Sequence, residues 1–234
     1  MKNQSANLNQ SMTTEFAQYF NRAVDFIKIE WKVFLFFILL LFVEDLFNFY
    51  LQNQVIGNPE SSRYIEIYFQ VLLLWTNVFY IHSIHSIKIN REVSKWRIFG
   101  ESFLLLPGFI LQSILWFLSF VLGLCLLVIP GIYTGIIFYM APILSVLYPD
   151  YRGTTFLLAK KFSSQNFKNT AFLIILTSFI PFIPEGLLFF LTGTMKSIWS
   201  LLYSPFGGAL YFFFELIFIL YVYEFVKEDR ASQL

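Results

Sequence analysis

The stretch that decides the fold is LCLLVIPGIYTGIIF, Leu124–Phe138, which sets Pro130 and Gly131 in the middle of a long apolar run. From Phe103 to Tyr148 there are 46 residues without one Asp, Glu, Lys, Arg or His. As a single helix that run would be about 69 Å long, against a bilayer hydrocarbon core of about 30 Å. A proline kink within one helix leaves the excess length in place, so the run must fold back on itself. Pro130-Gly131 is the best turn within it, because proline lacks a donor and glycine admits positive φ. The reading is a membrane hairpin, with Phe103–Ile129 descending and Ile132–Tyr148 returning.

Composition agrees. Of the 234 residues, 57% are hydrophobic and 13% charged, with a mean hydropathy of +0.65. A soluble domain carries about a quarter charged residues, which it needs to cover its surface. An all-α polytopic membrane protein follows. The net charge of +1 gives no basic field for a nucleic-acid partner. The 31 Phe residues have two readings, an AT-rich coding bias or an aromatic-lined cavity. Cys125 is the only cysteine, so no intrachain disulfide forms.

Working outward, residues 1–13 read as a disordered polar tail. Residues 14–32 place Phe16, Phe20, Ala23, Ile27 and Trp31 at helical spacing, an amphipathic helix expected to lie in the interface. It shows no secretory h-region, so insertion by the first span is expected. The six-helix membrane domain covers 33–226, with crossings at about 33–51, 64–87, 103–129, 132–148, 169–190 and 199–226. Residues 227–234 form a tail. The stretch 180–198, with its PFIPEG segment, reads either as a kinked continuation of the fifth helix or as a loop lying on the membrane. Residues 149–168 repeat the interfacial pattern, with Phe156, Ala159, Phe162 and Phe167 on one face.

Charge tests this threading. Six crossings put 14 of the 16 Lys and Arg residues on the side of the termini and only Arg63 and Lys196 opposite. That asymmetry predicts both termini in the cytoplasm of a bacterial inner (plasma) membrane.

The segment LLVIPGIYTGIIFYMAPILSVLYPDYRGTTFLLAKKFSSQNFKNTAFLIIL, residues 126–176, resembles a group of poorly characterised bacterial six-helix membrane proteins. The group includes the membrane domain attached to some glycerophosphodiester phosphodiesterases. Pro130-Gly131 matches the group's turn, Pro142 its proline, Asp150 its acidic residue and Asn166-Phe167 its closing element. Ala159 and Lys160 depart from the serine and tryptophan usual there. The resemblance covers roughly residues 95–178. It implies a six-helix fold and little about activity.

Ionisable groups inside a bilayer are costly and are default site candidates. The intramembrane polar candidates are Glu44, Asp45, Asn77 and Glu215; Glu66, His82, His85 and Glu185 complete the interior titratable set. Their two readings are a proton or cation relay and an interhelical hydrogen bond that holds the bundle together. His82 and His85 at i, i+3 could share a metal, but two histidines are a weak signal, so no metal and no cofactor are expected. Arg152, Lys160, Lys161 and Lys168 are candidates for lipid headgroups. No nucleophile, phosphate-loop or zinc-protease motif appears. The expected function is a non-enzymatic structural or accessory protein engaging membrane lipids or another membrane protein. The alternative is a small transporter or lipid-moving protein using the intramembrane carboxylates.

Overall fold

The computed structural model describes residues 2–54, 59–89, 94–180 and 198–231, with 183, 186 and 190, and side chains for most of these. Among the described residues there is no strand. The elements are α1 (Lys2–Ile29), α2 (Trp31–Gln54), α3 (Pro59–Lys88), α4 (Lys95–Leu126), α5 (Val128–Phe138), α6 (Ala141–Leu147), a 3₁₀ turn (Pro149–Thr154), α7 (Thr155–Gln165), α8 (Phe167–Phe179) and α9 (Ile198–Ala231). Five stretches are long and apolar enough to cross a membrane: Trp31–Leu51, Arg63–Lys88, Lys95–Leu126, Val128–Leu147 and Pro205–Glu224. This is the architecture of a multi-pass membrane protein. The sixth crossing predicted at 169–190 is not among them. Its first half is α8, 13 residues and about 20 Å, and most of its second half lies outside the described residues.

The chain divides into two compact units, Met1–Leu39 with Lys168–Leu234, and Leu40–Phe167. In the first, α1 packs along α9. The Tyr19 and Tyr221 rings meet edge to face at 5.5 Å, Phe20 meets Phe213 at 5.2 Å, and Arg22 pairs with Glu224. Ala23 is fully buried. Part of the apolar face assigned to the membrane surface is thus covered by protein. The helix α1 starts at Lys2, and residues 2–29 hold no Pro or Gly.

In the second unit, the hairpin reverses at Leu127, three residues before Pro130. Leu127 is extended (φ −165°, ψ 151°) and separates α4 from α5. Pro130 and Gly131 belong to the first turn of the return helix. There proline's missing N–H costs nothing, because the early donors of a helix have no internal acceptor. Glycine serves close approach rather than positive φ. A Cβ on Gly131 would lie 2.6 Å from the Leu124 backbone nitrogen, and one on Gly123 would lie 2.7 Å from the Gly131 Cα. The arms are zipped further along by Trp116 Nε1, which donates to the Gly135 carbonyl at 2.8 Å.

The returning arm breaks again after Phe138, and Pro142 sits in the first turn of α6. Every residue of α6 is buried. The apolar face of α7 closes over this arm: Ala159 and Phe162 are buried and Phe156 meets Phe138 at 4.8 Å, while Phe167, the first residue of α8, meets Tyr133 at 5.4 Å. The face predicted to rest on lipid therefore rests on α5 and α6.

Candidate functional site

The polar interior of the second unit is arranged along α3. Glu44 on α2 is 8% exposed, and the Thr76 hydroxyl on α3 donates to its Oε1 at 2.5 Å. Asp45, the next residue, turns to the exposed side, as the 100° step of a helix requires. Asn48 and Asn77 are half-buried.

At Trp75, the residue before Thr76, an aromatic stack joins α3 to α4. Trp75 lies between Phe79 (5.4 Å, interplanar 20°) and Phe103 (4.9 Å, 18°), with Phe99 edge-on at 4.9 Å. Its indole Nε1 donates to Ser102 Oγ at 2.8 Å, so the buried polar edge has an acceptor. Ser102 donates in turn to the Phe99 carbonyl at 2.6 Å.

Towards the end of α3, His82 Nε2 is 3.0 Å from Glu101 Oε2, and Arg97 Nε donates to Glu101 Oε1 at 2.8 Å. A carboxylate accepts only, so it selects the tautomer with the proton on Nε2. The chain of three runs from the exposed Arg97 to the buried His82. His82 Nδ1 and Ser86 Oγ, one turn apart, are buried with no hydrogen-bond partner among the described residues. His85 meets the Tyr148 ring at 6.0 Å.

In the first unit, Thr170 on α8 and Tyr221 on α9 share a buried hydrogen bond of 3.0 Å. Glu215 is half-buried on α9 and has no hydrogen bond or ion pair to a described residue. Glu66 is exposed, and Glu185 lies outside the described residues. Lys160 and Lys161 are adjacent and exposed on α7, Lys168 is exposed at the start of α8, and the Arg152 side chain lies outside the described residues.

No protein-family model, no curated protein and no solved structure matches this chain.

The predicted candidates therefore do not converge on one centre within either unit. Glu44 is joined to Thr76, and the histidines are split between Glu101 and Tyr148. No group of three or more His, Cys, Asp or Glu among the described residues could hold a metal. Sequence reasoning missed Thr76, Trp75, Ser102 and Glu101. The last left a readable trace, since it follows Arg97 by four residues, the spacing of a helical ion pair. The others have no local signature, because their partners lie 27 to 32 positions away.

Chemically, these arrangements are helix fasteners. In a lipid-facing bundle an interhelical hydrogen bond contributes about 0.6 kcal/mol on average and up to about 1.7. Each also removes a polar group that would otherwise face hydrocarbon.

Proposed function

We propose that this chain is a non-enzymatic integral membrane protein, a structural or accessory component that engages lipid or a membrane-protein partner. The observation that supports this reading is the use made of the interior polar groups. Glu44, Trp75, His82, Trp116 and Thr170 each pair with a second helix within their own unit, and they form no shared reaction centre. The wide exposure of large apolar side chains on α2 and α4 supports a lipid environment around them.

The reading places the protein in a bacterial inner membrane with both termini cytoplasmic, on the strength of the Lys and Arg distribution. It also carries the likeness of residues 95–178 to the six-helix group that includes the phosphodiesterase-linked membrane domain. Lys160, Lys161 and Lys168 are its headgroup contacts.

A second reading rests on one observation. Glu215 is a carboxyl group within a membrane-length helix that has no described polar partner, which is how a proton- or cation-carrying group of a small transporter would be placed. The test uses Glu44→Gln and Glu215→Gln in proteoliposomes loaded with a pH-sensitive dye. The accessory reading predicts no substrate-dependent proton flux in the parent protein, with both variants still inserting. A flux that either variant abolishes while insertion persists overturns it in favour of transport.

A further inference from the structure

The reversal between α4 and α5 belongs at a wet boundary. The Leu124, Cys125 and Leu126 carbonyls and the Val128 and Ile129 N–H groups have no backbone partner there. Groups left open in this way need water or lipid headgroups. From that end the returning arm, Val128–Leu147, is 20 residues long. Its backbone stays helical through Tyr139 (φ −55°, ψ −34°) and Met140 (φ −75°, ψ −16°). An arm of that length rises about 30 Å, the thickness of the hydrocarbon core. Its other end meets the turn Pro149–Thr154, which carries Asp150. The arm therefore crosses the bilayer, and its middle falls at Ile137 and Phe138. Trp116 marks the same level on α4, through its ring contact with Tyr139 at 5.6 Å and its hydrogen bond to Gly135. The exposed apolar side chains of α4 from Phe103 to Leu122 then lie in lipid.

Helix α7 lies across that middle. Phe156, in its first turn, rests on Phe138, and Phe167, just beyond its end, rests on Tyr133. Ala159, Phe162 and Ser163 are buried on the side of the arm. The opposite face carries Lys160, Lys161, Ser164 and Gln165, all exposed. Leu157, 68% exposed, lies one turn before both lysines on that face. The apolar face of α7 is thus taken up by protein, so these lysines do not serve to sink it among acyl chains, as they would in an interfacial helix. Their helix packs at half the depth of a crossing. Ammonium groups there are costly in hydrocarbon, and they face water or a counter-charge instead.

We propose that the outer face of α7 lines a hydrated cleft in the surrounding lipid, open on the side of the Pro149–Thr154 turn, in which Lys160 and Lys161 bind the phosphate of an acidic phospholipid drawn below the headgroup layer. This deepens the headgroup contacts named above and rests on the membrane reading. A lysine ammonium is a compact, strongly hydrated charge with three donors, which suits a phosphate that keeps part of its water. Gln165, one turn after Lys161, adds an amide donor, while the Ser164 hydroxyl is already given to the Lys161 carbonyl at 3.0 Å.

Two leucines at one level test the cleft. Leu157 on α7 adjoins Phe156, and Leu118 on α4, 48% exposed, follows Trp116 by two residues. Each is changed to Cys in the full Cys125→Ala chain, given a nitroxide label and reconstituted in phosphatidylcholine with phosphatidylglycerol. The cleft predicts that a water-soluble nickel chelate relaxes the Leu157 label more than oxygen does. Oxygen, which concentrates in lipid, should relax the Leu118 label more than nickel does. Any other pairing overturns the cleft. If Leu118 meets lipid and Leu157 does too, only the cleft falls; if neither label meets lipid, the membrane reading falls with it. The ligand is tested with bimane at the same Leu157→Cys position, titrated with short-chain phosphatidylglycerol in phosphatidylcholine micelles. Changing Lys160→Gln and Lys161→Gln together should weaken the apparent affinity about thirtyfold, at about 1 kcal/mol per lysine. Equal affinity overturns the lysine contacts. Inorganic phosphate at the same concentration should leave the bimane signal unmoved, and a response equal to the lipid's overturns the assignment to a phospholipid.

Discussion

Replacing Gly131 with Ala should separate the two arms of the hairpin. The added Cβ would sit 2.5 Å and 2.6 Å from the Leu124 Cδ2 and Cγ, which could swing aside, but also 2.6 Å from the Leu124 backbone nitrogen, which cannot. Ordinary contact begins near 3.4 Å, so the arms must part by about 0.8 Å. That stretch takes the Thr134 hydroxyl from 3.2 Å to about 4.0 Å from the Ser119 carbonyl, beyond hydrogen-bond range. Overpacking of this kind costs about 1–3 kcal/mol, and a lost interhelical bond adds about 0.6. The better helix propensity of Ala returns about 0.5–1 kcal/mol. The net loss is about 2 kcal/mol. Gly100, also helical, has nothing within 4 Å of a built Cβ. Gly100→Ala therefore shows only the propensity gain and serves as the control of opposite sign. Both variants are read by dodecyl sulfate titration in mixed micelles, followed by far-ultraviolet circular dichroism. If Gly131→Ala proves neutral or stabilising, the close approach of α4 and α5 is wrong.

Other expectations concern the fasteners. Trp75→Phe should cost about 1 kcal/mol, the indole hydrogen bond to Ser102, whereas Trp75→Ala should cost about 3–5 by emptying the stack; equal losses would contradict the assignment. A double-mutant cycle of Glu44→Gln and Thr76→Val should give a coupling of about 0.6–1.7 kcal/mol, measured by the same titration, and zero coupling would refute the α2–α3 link. Arg97→Ala, at an exposed site, should lower stability by less than about 1 kcal/mol. Glu101→Ala strips the buried His82 of its acceptor and should cost about 1–3 kcal/mol; the reverse ranking would mean that His82 does not depend on Glu101.

Much of the architecture was legible because it follows from length and hydrophobicity. The uncharged run 103–148 had to fold back, and it does. The residue at the turn was less legible. Pro130 is the strongest breaker in the run, yet a helix accepts proline in its first turn at no cost, so the break settles on Leu127, whose extended backbone carries no sequence mark. What the apolar faces of α1 and α7 rest on was only partly legible, for a related reason. An amphipathic pattern records that one side is apolar, not whether lipid or protein covers it, and here Tyr221 and Phe213 cover part of one and Phe138 part of the other. Among candidate site residues, Glu44 was visible as a buried charge, while Thr76 became its partner only through the packing of α2 against α3.

The central claim is that the chain is a lipid-engaged membrane scaffold whose polar interior fastens helices. Native mass spectrometry of the protein released gently from its membrane tests this most directly. The account predicts a chain that carries acidic phospholipid or a stoichiometric membrane-protein partner. A bare chain carrying neither would contradict it.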